Sequence, residues 1–191
     1  CRDPSQDMAI LAHQQKILQA VEQGLYSAIL ITPPCSTWSR VRGANTRGPP
    51  MIRSKQWPWG FPWLVRRFKI QIEVGNTLVR FTIQVLLVVD VQSRKIGRAW
   101  CAVFAEHPED LGVIFREEDN KVFYPASIWQ LEELRRLVDE GSPMQLATIA
   151  ICQCCFGAPY RKPTCLLSNI PEVKAWGSHE WPSFSHDGRY A

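Results

Sequence analysis

The sequence predicts an α/β domain with a mostly parallel sheet and flanking helices. Three observations carry this. Short apolar runs alternate with longer amphipathic ones, the pattern of strand–helix–strand units. Two apolar runs end in proline-bearing stretches, Pro33-Pro34-Cys35 and Glu106-His107-Pro108. The chain has 191 residues, 46% hydrophobic and 21% charged, which suits one domain with a sizeable core.

The elements follow in order. Met8 to Gln23 reads as a helix with Ile10, Ile17, Leu18 and Val21 on one side, stopped by Gly24. Tyr26 to Thr32 reads as a short strand. Residues 36–68 are rich in Pro, Gly, Trp and Arg and read as a long loop, a type that is usually functional in compact domains. Phe68 to Ser93 reads as a long helix weakened by Gly75, and Ala99 to Ala105 as a second strand. Ser127 to Glu140 has a serine N-cap and a glycine stop, so it reads as a helix. Gln145 to Cys155 and Pro163 to Ile170 complete the strands. Residues 1–175 are expected to form the domain. Residues 176–191, with Trp181, Pro182 and His186, are expected to be a loosely ordered tail.

No apolar run has the roughly 20 residues of a membrane span, so no membrane partner is expected. Seven cysteines, an odd number not arranged as a secreted framework, point to reduced thiols in an intracellular, reducing compartment, the nucleus in a eukaryote. Cys152, Cys154 and Cys155 sit close together on a β-like run, but a tetrahedral metal site needs more ligands, and none is expected. The net charge of +4 is uneven: between Ser36 and Lys69 there is no acid, while Arg40, Arg42, Arg47, Arg53, Lys55, Arg66, Arg67 and Lys69 all fall there. Such a block suits an anionic partner.

In sheets of the expected kind, ligands bind at the carboxyl ends of strands. Cys35 and Glu106 both fall at such ends. Two prolines fix φ twice and aim the next side chain. A thiol held there beside arginines can attack an electrophilic carbon, and Glu106 can move a proton beside it. A structural turn with an inert cysteine is the plainer alternative.

Pro33-Pro34-Cys35, the glutamate-x-proline at the next strand end and the element order resemble the cytosine-5 DNA methyltransferases. "PPCSTWSR", "PWGFPWL", "EHPEDLG" and "QCCFGAPYRKPT" are similar, in this order, to a divergent phage and algal branch. The resemblance spans roughly Asp7 to Ile170. It implies a Rossmann-like methyltransferase fold whose N-terminal part lies before Cys1, with S-adenosylmethionine as methyl donor. It implies Cys35 as the nucleophile on C6 of a flipped cytosine and Glu106 as the acid at N3. Arg161 or Lys162 would steady the base. Asp7, Pro33 and Pro34 are the candidate cofactor contacts. Ser36 stands where the family has Gln, and His107-Pro108 where it has Asn-Val. No Phe-x-Gly-x-Gly loop is present. Thr32-Pro33-Pro34 also resembles the amino-methyltransferase motif, with Cys35 in place of its aromatic residue.

Within the basic loop, aromatic residues alternate with arginines. Arginines neutralise phosphates and aromatics stack on unpaired bases. Arg40, Arg42, Arg47 and Trp38 are therefore the candidate nucleic-acid contacts, with "PWGFPW" as an anchor, and the resemblance adds Lys162. The expected partner of this monomer is DNA, with RNA left open. The competing reading is a catalytically inactive, nucleic-acid-binding relic of a mobile element or phage-like polyprotein.

Overall fold

The computed structural model describes residues 7–138 and 141–178. It contains α1 (Leu11–Glu22), β1 (Ala28–Ile31), α2 (Arg66–Ile96), β2 (Ala102–Pro108), β3 (Ile114–Arg116) and β4 (Lys121–Phe123). After these come α3 (Glu132–Leu137), β5 (Ala147–Cys152), β6 (Pro163–Ser168) and α4 (Pro171–Lys174).

The main sheet has the order β1-β2-β6-β5. Only β1 and β2 pair in parallel; β6 is antiparallel to both β2 and β5. This overturns the expected mostly parallel, Rossmann-like sheet. The cause is the link between β5 and β6. Residues 153–162 are too few for a crossover helix, and so short a connection returns the chain antiparallel. A second, two-stranded sheet, β3-β4, stands apart.

The helices are unequally shared between the faces. Val21 of α1, Val79, Leu86 and Val89 of α2, and Leu134 and Leu137 of α3 pack with Val103, Ala105 and Leu167 of the sheet. The opposite face carries a smaller cluster, Ile149, Ile151, Leu166 and Val173. By length and composition α2 is able to cross a membrane, and half of its most apolar window is buried inside the domain.

β2 is longer toward its carboxyl end than expected, because β6 pairs along it as far as Pro108↔Thr164. Glu106 and His107 are thus strand residues. Their side chains fall on opposite faces, as strand alternation requires: His107 is buried with Val103 and Ala105, and Glu106 is half-buried. The helix expected over Ser127–Glu140 is broken. Ser127 accepts a hydrogen bond from the Trp129 amide and caps a 3-10 turn, Ile128–Gln130. Leu131 is extended (φ −68°, ψ 131°) and its buried side chain enters the core before α3 starts. Glu140 lies outside the described residues, as do Trp181, Pro182 and His186. Trp176, at the head of the expected tail, packs edge-on to Phe104 with ring centres 6.1 Å apart.

Candidate functional site

β1, β2 and β5 run in one direction, since β6 is antiparallel to the last two and β2 is parallel to β1. Three stretches singled out from the sequence therefore meet at one edge of the sheet: 33–40 after β1, 106–112 at the end of β2, and 153–164 between β5 and β6.

Beyond Ile31 two prolines remove the backbone donors that a neighbouring strand would need. The Cys35 carbonyl then accepts from the Trp38 and Ser39 amides, at 2.9 and 2.8 Å, and the chain turns back over the helical face. Cys35 itself is half-buried and unpaired to any other cysteine. Thr37 and Trp38 go inward.

At the end of β2, Glu106 Oε1 accepts from Lys162 Nζ at 3.0 Å. The two side chains are 21% and 34% exposed, so solvent reaches the pair. Of the two basic residues expected here, Lys162 takes this place and Arg161 is exposed beside it. No hydrogen bond joins Cys35 to Glu106 among the described residues. His107, one residue on, is 1% exposed. Burial pushes its imidazole down to about 3, with Lys162 and Arg53 adding to the effect and the Pro108 backbone opposing it. The ring is therefore neutral and is no acid catalyst at ordinary pH.

The loop 36–64 is built on a buried arginine that sequence reasoning grouped with the surface charges. Arg53 is 2% exposed. Its Nη1 donates to the Pro58 carbonyl (2.7 Å) and Asn76 Oδ1 (3.0 Å), and Nη2 to Thr37 Oγ1 (2.7 Å). The guanidinium lies 3.9 Å from the Trp38 ring centre. Burial, then the charge of Arg42, lowers it to about 9. Its signal in the sequence was slight: an arginine directly after the apolar pair Met51-Ile52.

These contacts reassign several candidates. Trp38, expected to touch nucleic acid, is 3% exposed and closes the loop over the core, edge-on to Trp59. Arg42 donates to the carbonyls of Ser36 (2.6 Å) and Pro50 (3.1 Å) and to Gln71 (3.0 Å), so it braces the loop. Arg40 Nη2 donates to the Val113 carbonyl, tying the loop to the stretch before β3. Arg47 is exposed, and its backbone amide donates to Asn45.

The cofactor candidates do not form a pocket. Asp7 Oδ1 accepts from the Ala9 amide at 2.9 Å, a local turn before α1. Pro33 lines a void of about 10 Å³ with Ala105, Glu106 and Trp129, room for roughly one water. A larger cavity, about 370 Å³, lies between the sheet and α3, lined by Glu109, Trp129, Leu134, Arg135, Thr148 and Cys165. Burial pushes both the Glu109 carboxyl and the Cys165 thiol up. Asp110 caps the turn after β2, accepting from the Gly112 amide. Among the described residues no cluster of His, Cys, Asp and Glu is placed to hold a metal. No protein-family model, no curated protein and no solved structure matches the chain.

Proposed function

We propose that the chain acts on DNA as a cytosine-5 methyltransferase-like domain and supplies the base-attacking half of that chemistry. The observation that supports this is the parallel pairing of β1 and β2, which puts the Cys35 turn and the Glu106–Lys162 pair at the carboxyl ends of neighbouring strands, with the Glu106 side chain on the face opposite His107. Cys35, as thiolate, adds to C6 of an unpaired cytosine. The C5–C6 π pair moves to C4–C5 and the C4–N3 pair to N3, which takes a proton from solvent through the Glu106 carboxyl group. Lys162 fixes the carboxyl group that does this.

S-adenosylmethionine, implied by the resemblance, does not fit the described residues. The void at Pro33 is far too small and Asp7 is engaged locally. The same misfit favours a second reading, a nucleic-acid-binding domain that transfers no methyl group.

Release of tritium from DNA carrying 5-tritiated cytosine tests the attack without any methyl donor. Addition at C6 lets C5 take a solvent proton, and reversal removes the tritium as it expels the thiolate. The proposal expects release that disappears in Cys35→Ala and falls at least tenfold in Glu106→Gln. Binding without release supports the second reading, and release that survives Cys35→Ala removes the cysteine from the mechanism.

A further inference from the structure

The "PWGFPW" stretch divides in two. Trp59 is the anchor: its carbonyl accepts from Asn76 Nδ2 at 2.8 Å, its ring lies edge-on to Trp38, and Arg80 sits 4.8 Å over it. Trp57 and Trp63 face outward instead, 40% and 69% exposed. Exposed indoles are costly to leave in water unless something uses them.

Their arrangement is fixed. Phe61 and Trp63 stack in parallel, with centres 5.1 Å apart and planes 6° apart. Trp57 stands edge-on to Trp63 at 6.2 Å. The Phe61 amide donates to the carbonyl of the fully buried Ile52, which roots the stack in the core. Gly60 adopts φ +112°, and a Cβ there would come within 2.8 Å of Ile72. A turn that accepts only glycine thus sets the Phe61 and Trp63 rings in place.

The surroundings are basic. Arg66, Arg67 and Lys69 are exposed on the first turn of α2, directly after the platform. No acid occurs between residues 36 and 69. A flat exposed ring face followed along the chain by exposed cations, of which Arg67 lies 4.6 Å over the Phe68 ring, matches the chemistry of single-stranded nucleic acid, whose bases have two open faces and whose phosphates lie alongside.

We propose that Trp63, backed by Phe61 and Trp57, is a stacking platform for an unpaired base of single-stranded nucleic acid, whose flanking phosphates meet Arg66, Arg67 and Lys69. This rests on the nucleic-acid reading above but not on any chemistry at Cys35. The loop that carries the platform begins at the sheet edge bearing that cysteine.

Binding is measured by fluorescence anisotropy with a short oligothymidylate, an abasic strand with the same number of phosphates, and vesicles of equimolar phosphatidylcholine and phosphatidylserine. The oligothymidylate should quench tryptophan emission and bind more tightly than the abasic strand. Trp63→Ala should lower its affinity about 5- to 150-fold and leave the abasic strand unaffected. Trp63→Phe should restore most of the loss. Arg67→Gln should reduce the salt slope by about 0.7 for both strands. Equal affinity for the two strands, no effect of Trp63→Ala, or binding to the vesicles alone would each overturn the platform. Binding is read here without chemistry. Stacking without tritium release therefore refutes only the Cys35 reading, and release without base preference refutes only the platform.

Discussion

A buried histidine makes this fold acid-sensitive. His107 titrates at about 3 in the folded chain, against an ordinary value of 6.5, because burial disfavours the imidazolium. The unfolded chain therefore binds one more proton between those values. The stability that this ring contributes is complete above pH 6.5 and falls as the pH drops below it, by about 1.4 kcal/mol per unit. Denaturant titrations from pH 7 down to pH 4 should show this slope, and His107→Leu should flatten it. An unchanged slope in the variant would place the acid sensitivity elsewhere. At this scale the sequence was half legible. Cys35, Glu106 and Lys162 stood out by type and position. Arg42 and Arg53 did not, because a sequence shows charge but not whether carbonyls wait around the guanidinium. Arg53 is held by a carbonyl, an amide, a hydroxyl and a ring face, none of them charged.

The contact between α2 and the Cys35 turn depends on a missing side chain. Gly75 sits in the body of α2, where glycine costs about 1 kcal/mol relative to alanine. A Cβ there would lie 2.6 Å from Thr37 Oγ1 and 3.3 Å from Arg53 Nη2. Gly75→Ala should therefore destabilise the protein by about 1–3 kcal/mol despite its better helix propensity. The cost should shrink by at least half in a Thr37→Ala background, since the two residues share the contact. Thermal unfolding of the four proteins measures this, and stabilisation by Gly75→Ala alone would show that the contact is loose. The long apolar pattern made α1 and α2 readable from sequence. The β3-β4 hairpin was not, as three-residue strands are too short for periodicity to register. Its one local signal was Asn120, which turns at φ 52° between Asp119 and Lys121. Asp119 bridges Arg116 and Lys121 across that turn. The α3 region failed for another reason: a good N-cap serine started only a 3-10 turn, because burying Ile128 and Leu131 decided the backbone.

For the molecule as a whole, the alternation of helices and strands was visible, while strand direction was not. Direction was set by the length of the 153–162 link, which propensity does not encode. The charge asymmetry was also visible, but the structure splits it into an internal and an external set. DNA binding should thus depend on the exposed set. Arg47→Glu should lower the slope of log affinity against log salt by about 0.9 or more with an unchanged thermal midpoint. Arg42→Gln should lower the midpoint instead, because the Ser36 and Pro50 carbonyls and Gln71 lose their donor. The reverse pattern would return Arg42 to the phosphate contacts.

The claim that joins these scales is that the sheet edge holds Cys35 where it can add to a pyrimidine. DNA with 2-pyrimidinone at a cytosine position tests it directly, because that ring accepts a thiolate at C6 and the adduct persists without methyl transfer. Intact-mass spectrometry should find a one-to-one covalent complex, and peptide mapping should place the bond on Cys35. Glu106→Gln should slow its formation at least tenfold, and Cys35→Ala should abolish it. No adduct, or one that maps to the exposed Cys155 and survives Cys35→Ala, would contradict the account.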